Sequence, residues 1–172
     1  MTQDTQTPTR SARVFTGSET LGTNMNQLLV DLTDLHIQGK QAHWNVVGKN
    51  FRDLHLQLDE LVDAAREFSD DVAERMRALY LVPDARAVTI ANTSTLPPFP
   101  AEEVSTTETV DLITSSVYAV TSTGRRIHDA TDAEDPTTAD LIHGILERLE
   151  QLAWMIDAEN RVPGEGVRSI HA

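Results

Sequence analysis

The sequence predicts an all-α fold: a bundle of four helices, with a long crossover between the second and third that has room for one short extra helix. Three observations predict it. Apolar residues recur at steps of three and four through four long segments, the period of a helix that buries one face. Aromatic residues make up only 5% of a chain that is 40% hydrophobic, so the core is built mainly of Leu, Ile, Val and Ala, which suits helix-on-helix packing. The breaks between the periodic segments are two short and one long, the connectivity of a bundle with a single crossover.

Residues 1–17 are rich in Thr, Ser and Gln without an apolar period and read as an N-terminal tail. Leu21, Met25, Leu28, Leu32 and Leu35 then define a first helix reaching about Val47, which Gly48 is placed to end. The second helix is the clearest. Phe51, Leu54, Leu58, Leu61, Ala65, Phe68, Val72, Met76 and Leu79 keep one stripe from Phe51 to about Leu81, and Pro83 stops it. Pro83 to Glu103, with TLPPFP and little period, is the crossover. A capping box, Ser105 with Glu108, opens the third helix, whose apolar face is Val110, Ile113, Val117 and Val120 and whose end is expected near Asp129. Asp135 as cap and Pro136 at the first helical position begin the fourth, which buries Leu141, Ile145, Leu149, Leu152 and Ile156. The bundle occupies 18–160 as a single domain, and 161–172, with Pro163 and two glycines, reads as a C-terminal tail.

A net charge of -13 repels nucleic-acid phosphates at long range and attracts metal cations. Zero Cys excludes disulfides and thiolate ligands. The start MTQDTQTPTR lacks the pattern of a signal peptide, and no apolar run is long enough for a bilayer. A cytoplasmic protein is expected.

The chemistry concentrates on the second helix. His55, Asp59, Asp63, Glu67, Asp70 and Glu74 follow one another at steps of three or four and share a ridge. A solvated acidic face with Arg66, Arg75 and Arg77 as partners would explain many such ridges. Here His55 and Asp59 form a mixed nitrogen and oxygen pair suited to Fe²⁺ or Zn²⁺, and His43 lies within reach across a short turn. Asp70 and Glu74 form a second pair, but fifteen residues of helix separate His55 from Asp70, about 22 Å at 1.5 Å per residue. One chain cannot close that site. Two copies packed antiparallel about a two-fold axis could, and symmetry would make two sites.

The stretch HWNVVGKNFRDLHLQLDE (His43 to Glu60), followed by DDVAER (Asp70 to Arg75), resembles the Dps family of ferritin-like mini-ferritins, with looser similarity from about Thr20 to Asn160 that includes LEQLAWMIDA. The resemblance implies a ferritin-like bundle assembled as a hollow dodecamer. It implies ferroxidase sites between subunits, with His43, His55 and Asp59 from one and Asp70 and Glu74 from its neighbour. It also implies oxidation of Fe²⁺ to Fe³⁺ by hydrogen peroxide or O₂, storage of a ferric mineral core, and protection against oxidative stress. Trp44 matches a tryptophan that lies close to the metals in the family, where it could intercept an oxidising equivalent. Asp132, Asp135 and Asp140 match the lining of a three-fold pore, and Asp63 and Glu67 an interior that nucleates mineral.

Lys40 is expected to form a salt bridge at the dimer contact, and His36 to be a packed or interface histidine rather than a ligand. Members that bind DNA often use Lys-rich tails. This chain has two lysines, Lys40 and Lys49, neither in a tail, and only Arg10, Arg13, Arg161 and Arg168 as tail cations. That footprint argues against DNA binding. The competing functions are a nucleoid-associated structural protein and a shell with a hydrolase activity at a metal-bound water.

Overall fold

The computed structural model describes residues 14–164. Most of both expected tails, with Arg10, Arg13 and Arg168, lies outside the described residues. Among the described residues, five helices and a 3-10 turn follow in order: α1 (Glu19–Asn45), α2 (Phe51–Ala78), α3 (Ala87–Thr93), α4 (Thr106–Glu134), α5 (Pro136–Asp157) and the turn Ala158–Asn160. The four long helices are the predicted bundle, and α3 is the short helix of the crossover. Among the described residues, no helix is long and apolar enough to cross a membrane.

The predicted stripes meet in one core. Leu28, Leu32 and Leu35 of α1, Leu58 and Leu61 of α2, Ile113 and Val117 of α4, and Ile142 and Leu149 of α5 are fully buried, each worth roughly 1.5–3 kcal/mol by removal from water. Three predicted positions differ: Phe51 is 43% exposed, and Phe68 and Leu141 only pack against the rim of the core, while Ile142 and Leu146 fill it.

The caps explain most boundaries. Ser18 Oγ accepts from the Leu21 amide at 3.1 Å, and Ser18 is itself held by Glu134, which accepts from its amide and its hydroxyl at 2.7 Å each. Ser105 Oγ accepts from the Glu108 amide at 3.2 Å, half of the expected box. The first helix stops at Asn45 rather than Val47, because Val46 and Val47 (β1) leave it to pair in parallel with Val104 and Ser105 (β2). Gly48 then turns with φ 127°, a conformation side chains disfavour. The second helix ends at Ala78: Tyr80 takes the left-handed conformation, φ 61°, and the Leu81 amide closes onto the Met76 carbonyl at 2.9 Å. The third long helix runs past Asp129 to Glu134, because Ile127 and Thr131 are buried on its last turns and Glu134 holds Ser18.

A buried carboxylate fastens the crossover. Asp31 on α1 has no exposed surface and accepts from Gln27 Nε2 (2.9 Å), the Thr95 amide (3.0 Å), Thr95 Oγ1 (2.9 Å) and Thr123 Oγ1 of α4 (2.7 Å). One turn later Asp34 accepts from Ser94 Oγ and from Gln38 Nε2 at 3.0 Å. This polar seam ties α1, the end of α3 and α4 together.

Candidate metal centre

The end of α1 and the first two turns of α2 face each other across the Val46–Asn50 turn. There His43 and His55 stack, ring centroids 3.6 Å apart and 22° from parallel. Each ring reaches the other residue's backbone: His43 Nδ1 lies 3.0 Å from the His55 carbonyl oxygen, and His55 Nδ1 lies 3.0 Å from the His43 carbonyl oxygen. A carbonyl oxygen only accepts, so both Nδ1 atoms carry their protons and donate them. In the neutral rings both Nε2 lone pairs are then free, the tautomer that binds a metal through Nε2. His43 is 9% exposed, and Phe51 flanks His55 with ring centroids 5.1 Å apart.

Asp59, one turn after His55, brings a carboxylate oxygen beside them, 3.2 Å from His43 Nδ1. His43, His55 and Asp59 are the one group of at least three His, Asp or Glu residues, among the described residues, whose candidate ligand atoms lie within 4.8 Å of one another. The same Asp59 oxygen accepts from Lys40 Nζ at 2.8 Å. That hydrogen bond is the chief reason its carboxyl lies below the usual range; burial pushes the other way, and the charge of Lys40 adds to the lowering. Lys40 therefore pairs with Asp59 of its own chain.

Asp70 and Glu74 are not part of this cluster. Both are exposed, further along α2, and Asp70 lines an open groove of about 770 Å³ with Asp63, Arg66 and Glu67. Among the described residues, Asp63, Glu67, Asp70 and Glu74 have no ion pair or side-chain hydrogen bond. Two of the three arginines expected to neutralise this ridge act elsewhere, and Arg66 stays in the groove. Arg75 Nη2 binds Asp135 at 2.6 Å and its Nε binds Thr138 Oγ1 at 2.9 Å, while Arg77 Nη1 binds the Leu81 carbonyl at 2.8 Å. A row of like charges without partners is unfavourable on a helix, so the ridge is suited to receive a cation or a second protein surface.

Trp44 is 69% exposed beside His43, with Ile37 and Leu56 also open on the same two helices. His36 is half-buried, and burial, then the charges of Arg66 and Lys40, lower its pKa, an environment that disfavours a bound cation. Of the three pore candidates, Asp132 and Asp140 are exposed. Asp135 is 8% exposed and engaged with Arg75 and Thr138, and its side chain makes no cap bond to the α5 backbone. The sequence reading missed a second imidazole pair there: His128 and His143 stack at 4.5 Å, each beside an aspartate, Asp129 and Asp140. Their fifteen-residue separation spans two helices, so no periodicity signals it.

The Ferritin-like domain family matches residues 23–161. DNA protection during starvation protein 2 of Deinococcus radiodurans is 35% identical over 148 residues, 83% of this chain, and the chain spans 60% of that protein's length. In structure the chain is similar to Dps92 of Deinococcus radiodurans, with a TM-score of 0.81, 29% identity and coverage of 86% of this chain and 90% of that one. The chain belongs to the Dps family. A further Dps structure, from Microbacterium arborescens in the high iron form, superposes with a TM-score of 0.78 at 28% identity, covering 84% of this chain and 97% of the other. Dps membership places the chain among ferritin-like proteins of iron storage and protection in general, and the His/Asp cluster fits that chemistry.

Proposed function

We propose that this Dps protein is a ferroxidase and iron store. Fe²⁺ binds between two subunits, held by His43, His55 and Asp59 of one and by Asp70 and Glu74 of its two-fold mate. Two Fe²⁺ give one electron each to hydrogen peroxide, which takes up two protons and leaves as two waters; O₂ is the slower alternative oxidant. The ferric product moves inward and is stored as mineral inside a dodecamer. Consuming Fe²⁺ and peroxide together removes both reagents of hydroxyl-radical chemistry.

The observation that carries this reading is the split donor set. Two imidazoles are fixed in the metal-ready tautomer beside one carboxylate, which is too few donors for an octahedral ion. The missing carboxylates stand on the same helix, about 22 Å away at 1.5 Å per residue, without partners among the described residues. Added carboxylate charge favours the ferric product over the ferrous substrate. Trp44, exposed next to His43, is positioned to give an electron to a stray oxidant. Asp132 and Asp140 are the candidate inlet carboxylates, since Asp135 is engaged with Arg75.

The test is Fe²⁺ with hydrogen peroxide, followed by ferric absorbance. The wild type oxidises; His43→Ala combined with Asp70→Ala is crippled yet still assembles. An unaltered rate in that variant would overturn the ligand assignment.

A further inference from the structure

We infer that Asp63 and Arg66 set the register of the two-fold pair: Asp63 of each subunit binds the partner's Arg66, and the two ion pairs flank the symmetry axis. The inference rests on the shared metal site proposed above, because that site fixes how two copies of α2 lie. In an antiparallel pair the order of one helix reverses on the other, so His55 meets the partner's Glu74 and Asp59 meets the partner's Asp70. Four residues further in, the same register brings Asp63 opposite the partner's Arg66. The axis then crosses α2 midway between Asp63 and Arg66, and each metal site lies about 11 Å from it at 1.5 Å per residue.

The chain itself is built for this contact. Both side chains are exposed and line the same open groove as Asp70. Seen down α2, at about 100° per residue, Arg66 falls between His55 and Asp59, and Asp63 between Asp70 and Glu74, so both stand within the face that carries the ligands. Among the described residues neither makes an ion pair, although their separation of three on one helix would permit one within the chain. A guanidinium can grip a carboxylate with two parallel hydrogen bonds, and enclosure between subunits removes the water that weakens such pairs on a free surface. Sliding one helix by a turn can set Asp63 against the partner's Asp70, so the pair also rejects a wrong register. Asp63 thereby belongs to the subunit contact and not to a mineral-facing interior.

The test exchanges charges in the full-length protein and follows pairing by sedimentation velocity and native mass spectrometry. Asp63→Arg alone and Arg66→Asp alone each gather only like charges at the axis and are expected to pair about a hundredfold more weakly than wild type. Mixed in equal amounts they are complementary, and are expected to recover wild-type pairing with one chain of each kind in every two-fold pair. Wild-type pairing by either variant alone, or a mixture no stronger than its components, overturns the inference. If a single variant does not fold, the chain carrying both Asp63→Arg and Arg66→Asp decides: it is expected to pair with itself and exclude the wild type, and random mixing with the wild type overturns the inference. None of these changes touches a proposed ligand, so the site reading fails separately, when His43→Ala with Asp70→Ala keeps the wild-type rate of Fe²⁺ oxidation.

Discussion

Subunit mixing tests the shared site with a number that geometry dictates. One variant, His43→Ala with His55→Ala, lacks the imidazole half; the other, Asp70→Ala with Glu74→Ala, lacks the distal carboxylate half. Each alone has no intact centre. Metal–ligand bonds are about 2 Å long, and the two halves stand about 22 Å apart on one rigid helix, so no subunit can complete a centre from its own chain. In a randomly mixed 1:1 assembly, a two-fold site is intact only when one subunit supplies the imidazoles and its mate the carboxylates, which happens at about a quarter of sites. Co-expression with two affinity tags, sequential purification and peroxide-driven Fe²⁺ oxidation measure it. The expected rate is about a quarter of wild type, from two parents that have almost none. A mixture no faster than the mean of its parents would refute the intersubunit site, and full activity in either parent would refute the ligand set.

Asp31→Ala leaves the buried Thr123 hydroxyl and the Thr95 amide at the rim without their acceptor, a cost on the order of 2 kcal/mol. Asp31→Asn costs about 1 kcal/mol, since both threonine hydroxyls can turn to accept; thermal midpoints and amide exchange at Thr95 rank the two. Gly39→Ala drives a Cβ into Val62 and destabilises by about 1–2 kcal/mol despite the better helix propensity of Ala. Adding Val62→Ala should recover part of that loss in a double-mutant cycle. For Asp135, burial would raise the carboxyl pKa, but the hydrogen bonds from Thr138 and Arg75 hold it low. Its pairing therefore stabilises the fold above the ordinary carboxyl range, and that contribution is lost as pH falls through the depressed value. Arg75→Met strands a largely buried carboxylate and costs on the order of 3 kcal/mol at neutral pH. The penalty shrinks through a window bracketing the ordinary value near ~3.9 and is gone in stronger acid, as thermal melts at stepped pH will show.

Leu28, Leu58, Ile113 and Leu149 declared their burial through spacing alone, and so did the ridge from His55 to Glu74, because a helix converts intervals of three and four into one face. The helix ends were less legible. Tyr80 stops α2 in a left-handed conformation that tyrosine rarely adopts, and Val46 leaves α1 for a strand partner nearly sixty residues away. Neither event has a local signal. The donor types at the metal centre were likewise readable, since His43, His55 and Asp59 are close in the chain.

What the sequence by itself determined is the four-helix framework and which side chains make up the candidate metal cluster, both consequences of short-range periodicity. Only the tertiary structure decided which imidazole nitrogens are free, that Lys40 rather than an arginine pairs with Asp59, and that Arg75 neutralises Asp135 instead of Glu74. Those choices depend on which helices lie side by side. A charged side chain pairs with whatever the packing brings within about 3 Å, and no interval along the chain encodes that.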